Sequence, residues 1–328
     1  MKLHGIIPPL ITPLKWNNER YGKVELDEQS TKTLIDKVIN GQNGRGVNGV
    51  FLLGSTGEAP SLSCQLRKDF VELACRIIDG RVPVLVGVSD TCMETTVDLA
   101  IAAKQSGATA LVLTSPYYFH CSQEDLLRYV DDFVRHPAFL RSGQEKSSLL
   151  PILLYNMPDL TKVKFEIATV RHFMTEYNAE TIVGIKDSSG DIEYFSHLCR
   201  LRDELRPNGD WSVFMGPDHL ASKSLAVGGD GVIPSGANIK PDLFMELYDA
   251  ACRLRNGEES AEEVEARMAE IRALTQIYSF GQWFIATKCA CFLLQTVQSD
   301  TLAPPFRALT ESQRSGVKKI LDSLPERS

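Results

Sequence analysis

Eight short apolar runs recur along the chain, each followed by a small or polar cluster and then by a helical stretch. They are Gly5–Ile11, Val47–Leu53, Val82–Val88, Ala110–Leu113, Pro151–Tyr155, Thr181–Lys186, Trp211–Met215 and Gly231–Pro234. The runs are nearly continuous in apolar side chains and rich in Val, Ile and Leu. That is the pattern of parallel strands covered on both faces, not the alternation of a sheet with one wet face. Between them, Leu66, Phe70, Leu73 and Ile77 mark one helical stripe, and Leu99, Ile101 and Ala102 mark part of the next. Eight alternating units predict an α/β protein, either a closed (β/α)8 TIM barrel or an open doubly wound sheet. No Gly-x-Gly-x-x-Gly follows the first run, which weakens the dinucleotide-binding sheet and favours the barrel.

After the eighth run some 90 residues remain, with helical stretches over 242–255, 258–278, 281–297 and 310–324. This predicts a barrel carrying the active site over 1–245 and a C-terminal helical extension packed on it over 246–328. The cluster Glu258, Glu259, Glu262, Glu263 and Glu265 reads as a solvated helix start favoured by the helix dipole. Residues 137–150 form a polar insertion before the fifth run, expected to be a surface loop without chemistry.

With 328 residues and 43% hydrophobic composition, the chain can bury a large core without disulfide or metal staples. Thirty-five basic residues against 42 acidic ones leave a net charge of −7, so nucleic acid is not an expected partner. No apolar run reaches the ~18 residues of a membrane span, and the first residues lack a signal-peptide core. Eight scattered cysteines with no Cys-x-x-Cys then read as reduced thiols packed like small hydrophobes, consistent with a cytoplasmic protein.

In barrels of this kind catalysis sits at the carboxyl ends of the strands. Those ends supply Gly54-Ser55-Thr56-Gly57-Glu58, Ser89-Asp90, Ser115-Pro116-Tyr117-Tyr118, Tyr155-Asn156, Lys186-Asp187, Gly216-Pro217-Asp218-His219 and Ser235-Gly236-Ala237-Asn238. The set contains one lysine, several hydroxyls and no metal-ligand spacing, a mixture suited to amine chemistry on a carbonyl. Lys186 ends an apolar strand, where burial would favour the free amine needed of a nucleophile. The alternative is a buried lysine paired to a carboxylate. Tyr155 could shuttle protons at the same centre, or be a rim tyrosine with a backbone partner. The 54–57 turn could receive a carboxylate, or simply start the next helix. Glu58 is expected to favour that helix start rather than act as an acid. Gly228–Gly236 has the look of a phosphate-binding loop, although its glycines could equally permit close helix–strand contact.

Taken together, these residues resemble the dihydrodipicolinate synthase / N-acetylneuraminate lyase family of Schiff-base class I aldolases. The resemblance is collinear over roughly residues 5–300. It rests on Gly54-Ser55-Thr56-Gly57-Glu58, Thr114-Ser115-Pro116-Tyr117-Tyr118, Tyr155-Asn156-Met157-Pro158, Gly184-Ile185-Lys186-Asp187 and Gly228-Gly229-Asp230-Gly231-Val232-Ile233. It implies a (β/α)8 barrel with a helical extension, assembled as a homo-oligomer, a dimer or tetramer. It also implies an imine between Lys186 and pyruvate or another 2-oxo acid, Tyr155 as proton shuttle, and the Ser55-Thr56-Gly57 turn as carboxylate site. Tyr118 matches a tyrosine donated across a dimer interface, and the backbone of Ile233 would lie beside the imine. Neither metal nor organic cofactor is implied.

Synthases acting on aspartate semialdehyde resemble one another in an arginine shortly after Tyr-Asn-x-Pro; here Leu160 stands there and cannot grip a carboxylate. Leu160, Ser55, Asp218 and Ser235 look more like the sialic-acid and sugar-acid branches, with Asp218 and Ser235 as candidates for binding a hydroxylated tail. The expected activity is pyruvate-dependent cleavage or formation of a 2-oxo acid, with an aldehyde as the other partner. The alternatives are dihydrodipicolinate synthase and a 2-oxo-3-deoxy sugar acid dehydratase. From other classes come a non-catalytic 2-oxo acid binding barrel and a phosphate-using barrel enzyme.

Overall fold

A computed structural model of the chain describes residues 2–17, 23–41, 44–139 and 149–325. Its strands are β1 (Gly5–Ile6), β2 (Leu14–Asn17), β3 (Lys23–Leu26), β4 (Val50–Leu52), β5 (Val84–Gly87), β6 (Ala110–Thr114), β7 (Ile152–Asn156), β8 (Ile182–Asp187), β9 (Ser212–Met215) and β10 (Gly231–Val232). Eight of them form one parallel sheet in the order β1-β10-β9-β8-β7-β6-β5-β4. Every run singled out for apolar continuity contributes one strand. The two end strands of that order also meet. The Asn48 amide donates to Ile6 O, the Phe51 amide to Pro8 O, and the Leu10 amide to Phe51 O, each at 2.9 Å. β2 and β3 pair as a separate antiparallel ribbon, which the sequence reading lacked because each strand has only four residues, too few to carry an apolar run.

The helices are α1 (Glu28–Asn40), α2 (Cys64–Ile78), α3 (Met93–Gln105), α4 (Gln123–Val134), α5 (Pro158–Thr161), α6 (Ile167–Glu176), α7 (Ile192–Leu205), α8 (Ala221–Ala226), α9 (Pro241–Arg255), α10 (Ala261–Thr275), α11 (Trp283–Leu293) and α12 (Glu311–Ser323). Their starts are capped by side chains of the expected kind: Asp27, Ser63, Ser122, Asp191, Ser260 and Thr310 each accept a first-turn amide. Glu262 and Glu263 occupy the first turn of α10, as expected of the acidic cluster. On α2 and α3 the buried face contains Phe70, Leu73 and Leu99 of the predicted stripes and is wider than them: Val71, Ala74, Val97 and Ala100 are also buried, whereas Leu66, Ile77, Ile101 and Ala102 are half-buried. A helix lying on a sheet covers a wide apolar arc, so its largest side chains need not mark the centre. α9 runs through the expected 245/246 boundary. Of the polar insertion, Pro137–Phe139 forms a 3-10 turn that buries Phe139 against the Phe133 ring, and 140–148 lie outside the described residues.

Two cores result. The outer one lies between sheet and helices and includes Leu154, Ile182 and Ile185. The inner one is enclosed by the sheet and includes Ile7, Phe51, Val112, Leu153, Tyr155, Val183, Phe214 and Ile233. In β8, Val183 belongs to the inner core and Ile185 to the outer one, which regular alternation forbids. A bulge reconciles them: Ile152 pairs with Ile182, but Leu153 pairs with Gly184. Lys186 then stands opposite Tyr155, and alternation from Ile185 onward turns it to the inside. Gly184 is required there, because an added Cβ would lie 2.2 Å from the Ser212 carbonyl oxygen.

Candidate active site

Lys186 is 4% exposed, and its Nζ lies 4.1 Å from the Tyr155 ring centroid and 5.2 Å from that of Phe51. Among the described residues no carboxylate pairs with it, which removes the reading of a structural ion pair. The neighbouring Asp187 faces the other way, accepting from Asn156 Nδ2 at 2.7 Å and from the Ser189 amide and hydroxyl. Burial pushes the Tyr155 phenol up. The Lys186 charge and hydrogen bonds with Ser55, Ser188 and Lys186 outweigh that and bring it below its ordinary value. A phenol with lowered proton affinity, held against an amine, is equipped to pass protons between that amine and a bound carbonyl.

Around this pair lies a chamber of about 290 Å³, whose lining includes Ser55, Thr56, Tyr155, Lys186, Asp218, Ile233, Ser235, Tyr278 and Trp283. Ser55 and Thr56 open a 3-10 turn, so their amides have no acceptor within it. Ser55 Oγ is 3.5 Å from the Tyr155 hydroxyl, and Thr56 Oγ1 is 2.7 Å from Ser235 Oγ. Ser55, Thr56 and Lys186 thus line one chamber, whose size suits a short anion carrying a carbonyl.

The remaining sequence candidates separate. Gly57 backs the turn rather than facing the chamber: its carbonyl accepts from Thr12 Oγ1, and an added Cβ would lie 2.9 Å from Leu10 O. Ile233 lines the chamber by its strand end, its amide bonded to Met215 O. Asp218 is buried, and its carboxylate accepts from the Ser235 and Gly236 amides and from the Tyr278 hydroxyl. Burial raises its pKa to about 6 against those bonds and the Lys186 charge. Asp218 therefore holds the Ser235 turn in place. Leu160 lies outside the chamber, half-exposed over an adjoining cavity. Tyr118 is 87% exposed, in left-handed backbone with φ of 83°, its ring edge-on to Phe119.

Two readings of the sequence need correction. Glu58 does not face solvent at a helix start. It is buried, pairs with the fully buried Lys288 of α11, and accepts from the Ala303 amide at 2.8 Å, while Lys288 also donates to Thr301 O. The Gly228–Gly236 loop does not cradle phosphate. Gly228 and Gly229 precede β10, at the end of the sheet away from Lys186. Cβ atoms at 229 and 231 would meet Ser224 O at 2.8 Å and Gly5 O at 2.0 Å, and Asp230 is paired with Arg202 and Lys2.

The reading missed the contribution of the C-terminal helices. Trp283 Nε1 donates to Thr56 Oγ1 at 3.3 Å, and Tyr278 to Asp218 at 2.9 Å. Among the described residues no three His, Cys, Asp or Glu side chains converge as metal ligands, and no helix is long and apolar enough to cross a membrane. All eight cysteines are free thiols, with Cys92 exposed.

Residues 2–324 match the family described as the dihydrodipicolinate synthetase family. The chain is 34% identical over 249 residues to a probable 2-dehydro-3-deoxy-D-pentonate aldolase, YjhH, of Escherichia coli K12, covering 76% of this chain and 74% of that one. Among solved structures it is similar to a dihydrodipicolinate synthase of Bacteroides thetaiotaomicron, with TM-score 0.84, 35% identity, and 98% and 99% of the two chains covered. It is also similar to Escherichia coli K12 YagE in complex with pyruvate, with TM-score 0.84, 28% identity, and 98% of each chain covered.

Proposed function

Because the chain belongs to the dihydrodipicolinate synthetase family, we propose that Lys186 is the amine through which it performs this family's chemistry, a lysine Schiff base with pyruvate. The protein is a lyase of the class I aldolase type. The observation that carries the assignment of residues is the unpaired, buried Lys186 amine held over Tyr155, facing the Ser55–Thr56 turn across one small chamber. We read the curled sheet as a closed (β/α)8 barrel, and residues 246–328 as a helical extension that completes the chamber wall.

In this reading the carboxylate of the 2-oxo acid sits on the amides and hydroxyls of Ser55 and Thr56, which brings its ketone to Lys186 Nζ. The amine attacks the ketone, and Tyr155 moves the proton that lets water leave the carbinolamine. The protonated imine then draws the electron pair of the C3–C4 bond as it breaks, or of the C3–H bond in the synthetic direction. The enamine so formed is held beside the backbone of Ile233. In cleavage the C4 hydroxyl gives up its proton as the aldehyde leaves, and the enamine then takes a proton at C3. In synthesis the enamine C3 attacks the aldehyde carbon, whose oxygen takes a proton. Either way an imine is regenerated. The product imine is hydrolysed, returning the free amine. No cofactor enters any of these steps.

The substrate is a 2-oxo acid of the sugar-acid kind, by the likeness to the pentonate aldolase and by Leu160 standing where a carboxylate-gripping arginine would be. Dihydrodipicolinate synthase activity is the second reading, supported by the likeness to the Bacteroides enzyme. Exposed Tyr118 and Phe119, next in the chain to Tyr117 of the cavity wall, fit a homo-oligomer in which a neighbouring copy covers them, and we place the protein in the cytoplasm. Borohydride reduction in the presence of pyruvate tests the central claim. One reduced pyruvyl group on the Lys186 peptide supports it, and a folded protein that takes up no adduct from several 2-oxo acids refutes it.

A further inference from the structure

A second cavity of about 260 Å³ opens beside the Lys186 chamber and shares Ser55, Tyr155 and Met157 with it. Its position makes it the place for whatever is joined to, or released from, the C3 carbon of the enamine. Its walls are Phe51, Leu53, Ala59, Pro60, Val112 and Leu160, and no Arg, Lys, Asp or Glu is among its lining residues. The Lys186 chamber adds Asp159 and Asp218, both acidic, and the Arg67 charge that acts on Tyr117 is already paired with Asp90 at 2.7 Å.

Five hydroxyl-bearing side chains other than Tyr155 also line the second cavity, but most are already engaged. Thr114 Oγ1 donates to Tyr155 O at 2.9 Å, and Ser89 Oγ accepts from the Thr114 amide at 2.8 Å. Thr161 Oγ1 donates toward the Met157 and Val163 carbonyls at 3.1 and 3.0 Å. Ser55 is given over to the 2-oxo acid's carboxylate in the reading above, which leaves the Tyr117 hydroxyl, for which no hydrogen bond is found among the described residues.

From this lining, and resting on the aldolase reading above, we infer that the aldehyde partner is short and uncharged, with no carboxylate or phosphate and no more than one hydroxyl. An anionic end would lie against Phe51, Leu53 and Val112 with no unpaired cation in the lining to meet it. Each further hydroxyl would lack a free hydroxyl partner among the lining side chains, which loses affinity even though the shape fits. In the synthetic direction the enamine C3 attacks the aldehyde carbon and a C–C bond forms. The electron pair of the aldehyde C=O moves to its oxygen, which takes a proton by way of Tyr155. Water then hydrolyses the imine, giving the free Lys186 amine and a 4-hydroxy-2-oxo acid.

The test uses the full-length protein, pyruvate, and five acceptors: propanal, glycolaldehyde, erythrose, succinic semialdehyde and glyceraldehyde 3-phosphate. Product 4-hydroxy-2-oxo acids are followed by mass, and borohydride trapping of the pyruvate imine is run in parallel. Propanal and glycolaldehyde should be used with a kcat/KM at least about 100-fold above either anionic acceptor, and at least about tenfold above erythrose. Leu160→Arg, at a half-exposed site where folding is not at stake, should raise kcat/KM for succinic semialdehyde at least about tenfold and lower that for propanal. The inference is overturned if an anionic acceptor or erythrose matches the neutral pair, or if the imine is trapped and neither propanal nor glycolaldehyde is consumed. Failure to trap any imine is a different result. It refutes the aldolase reading itself, and this inference with it.

Discussion

Replacing Lys288 by methionine probes the joint between α11 and the Ser55–Thr56 turn. The wild-type pair is fully enclosed, and among the described residues the Glu58 carboxylate accepts one other hydrogen bond, from the Ala303 amide. Burial lowers the Lys288 pKa and the Glu58 charge opposes it, so the two are held as partners rather than as independent ions. Removing one member leaves a buried, uncompensated carboxylate, which costs about 3–5 kcal/mol. With an unfolding entropy of about 2.1 cal/mol/K per residue, 328 residues give roughly 0.7 kcal/mol/K. The melting temperature of Lys288→Met should therefore fall by roughly 4–7 °C. Glu58→Gln with Lys288→Met removes both charges while the amide oxygen can still accept from Ala303, so the double variant should recover at least half of that loss. Glu58 closes the Ser55–Thr56 turn, so the single variant should also raise KM for pyruvate more than it lowers kcat. Differential scanning calorimetry on wild type, both single variants and the double variant gives the coupling directly. A single-variant loss below about 1 kcal/mol, or a double variant less stable than Lys288→Met, would refute the claim that the charge pair carries this joint.

Three further outcomes are expected. Tyr155→Phe should lower kcat by roughly 10²–10⁴-fold while the Lys186 imine still forms slowly, and a near-wild-type steady-state rate would remove Tyr155 from proton transfer. Trp283→Phe takes away the donor to Thr56 Oγ1, so KM for pyruvate should rise roughly 2–10-fold with kcat nearly unchanged, read from initial rates. Asp218 has a folded pKa of about 6, above the ordinary carboxylate value of ~3.9, so the folded state holds a proton that the unfolded chain has released. Its contribution is present below about pH 4 and is lost as pH rises through about 6, for a total of about 3 kcal/mol. Denaturant melts at pH 4, 5, 6 and 7 should lose that slope in Asp218→Asn, and an unchanged slope would place the titrating group elsewhere.

The strands were legible because burial on both faces leaves a continuous apolar record, and Lys186 was legible because it interrupts one. Tyr155 followed by the same logic. What lay beyond the sequence were contacts between separate elements, across 230 residues for Glu58 and Lys288, 227 for Trp283 and Thr56, but only 17 and 18 for Asp218. Glu58 looks like any acid near a helix start until Lys288 is known to lie against it. Asp218 looks available for a hydroxylated tail until the Ser235 and Gly236 amides are seen converging on it. Trp283 begins an apolar helix and carries no local sign that its indole nitrogen reaches Thr56. The glycines of 228–231 were ambiguous for a related reason: close packing and ligand approach both demand a missing side chain, and only the neighbours tell which.

The bulge at Gly184 turns chemistry into a matter of parity. Lys186 faces the chamber because one extra residue in β8 inverts the alternation between Val183 and Ile185. A strand of the same composition without that insertion would send the lysine out beneath the surrounding helices. The apolar residues on either side would still find cores, one inner and one outer, so the barrel itself would have little reason to notice. Folding and catalysis are thus separable in this strand by a single backbone irregularity. A sister sequence that kept Lys186 and Tyr155 but lost Gly184 would stay inert, and inspection of that one position would tell the two apart before any assay.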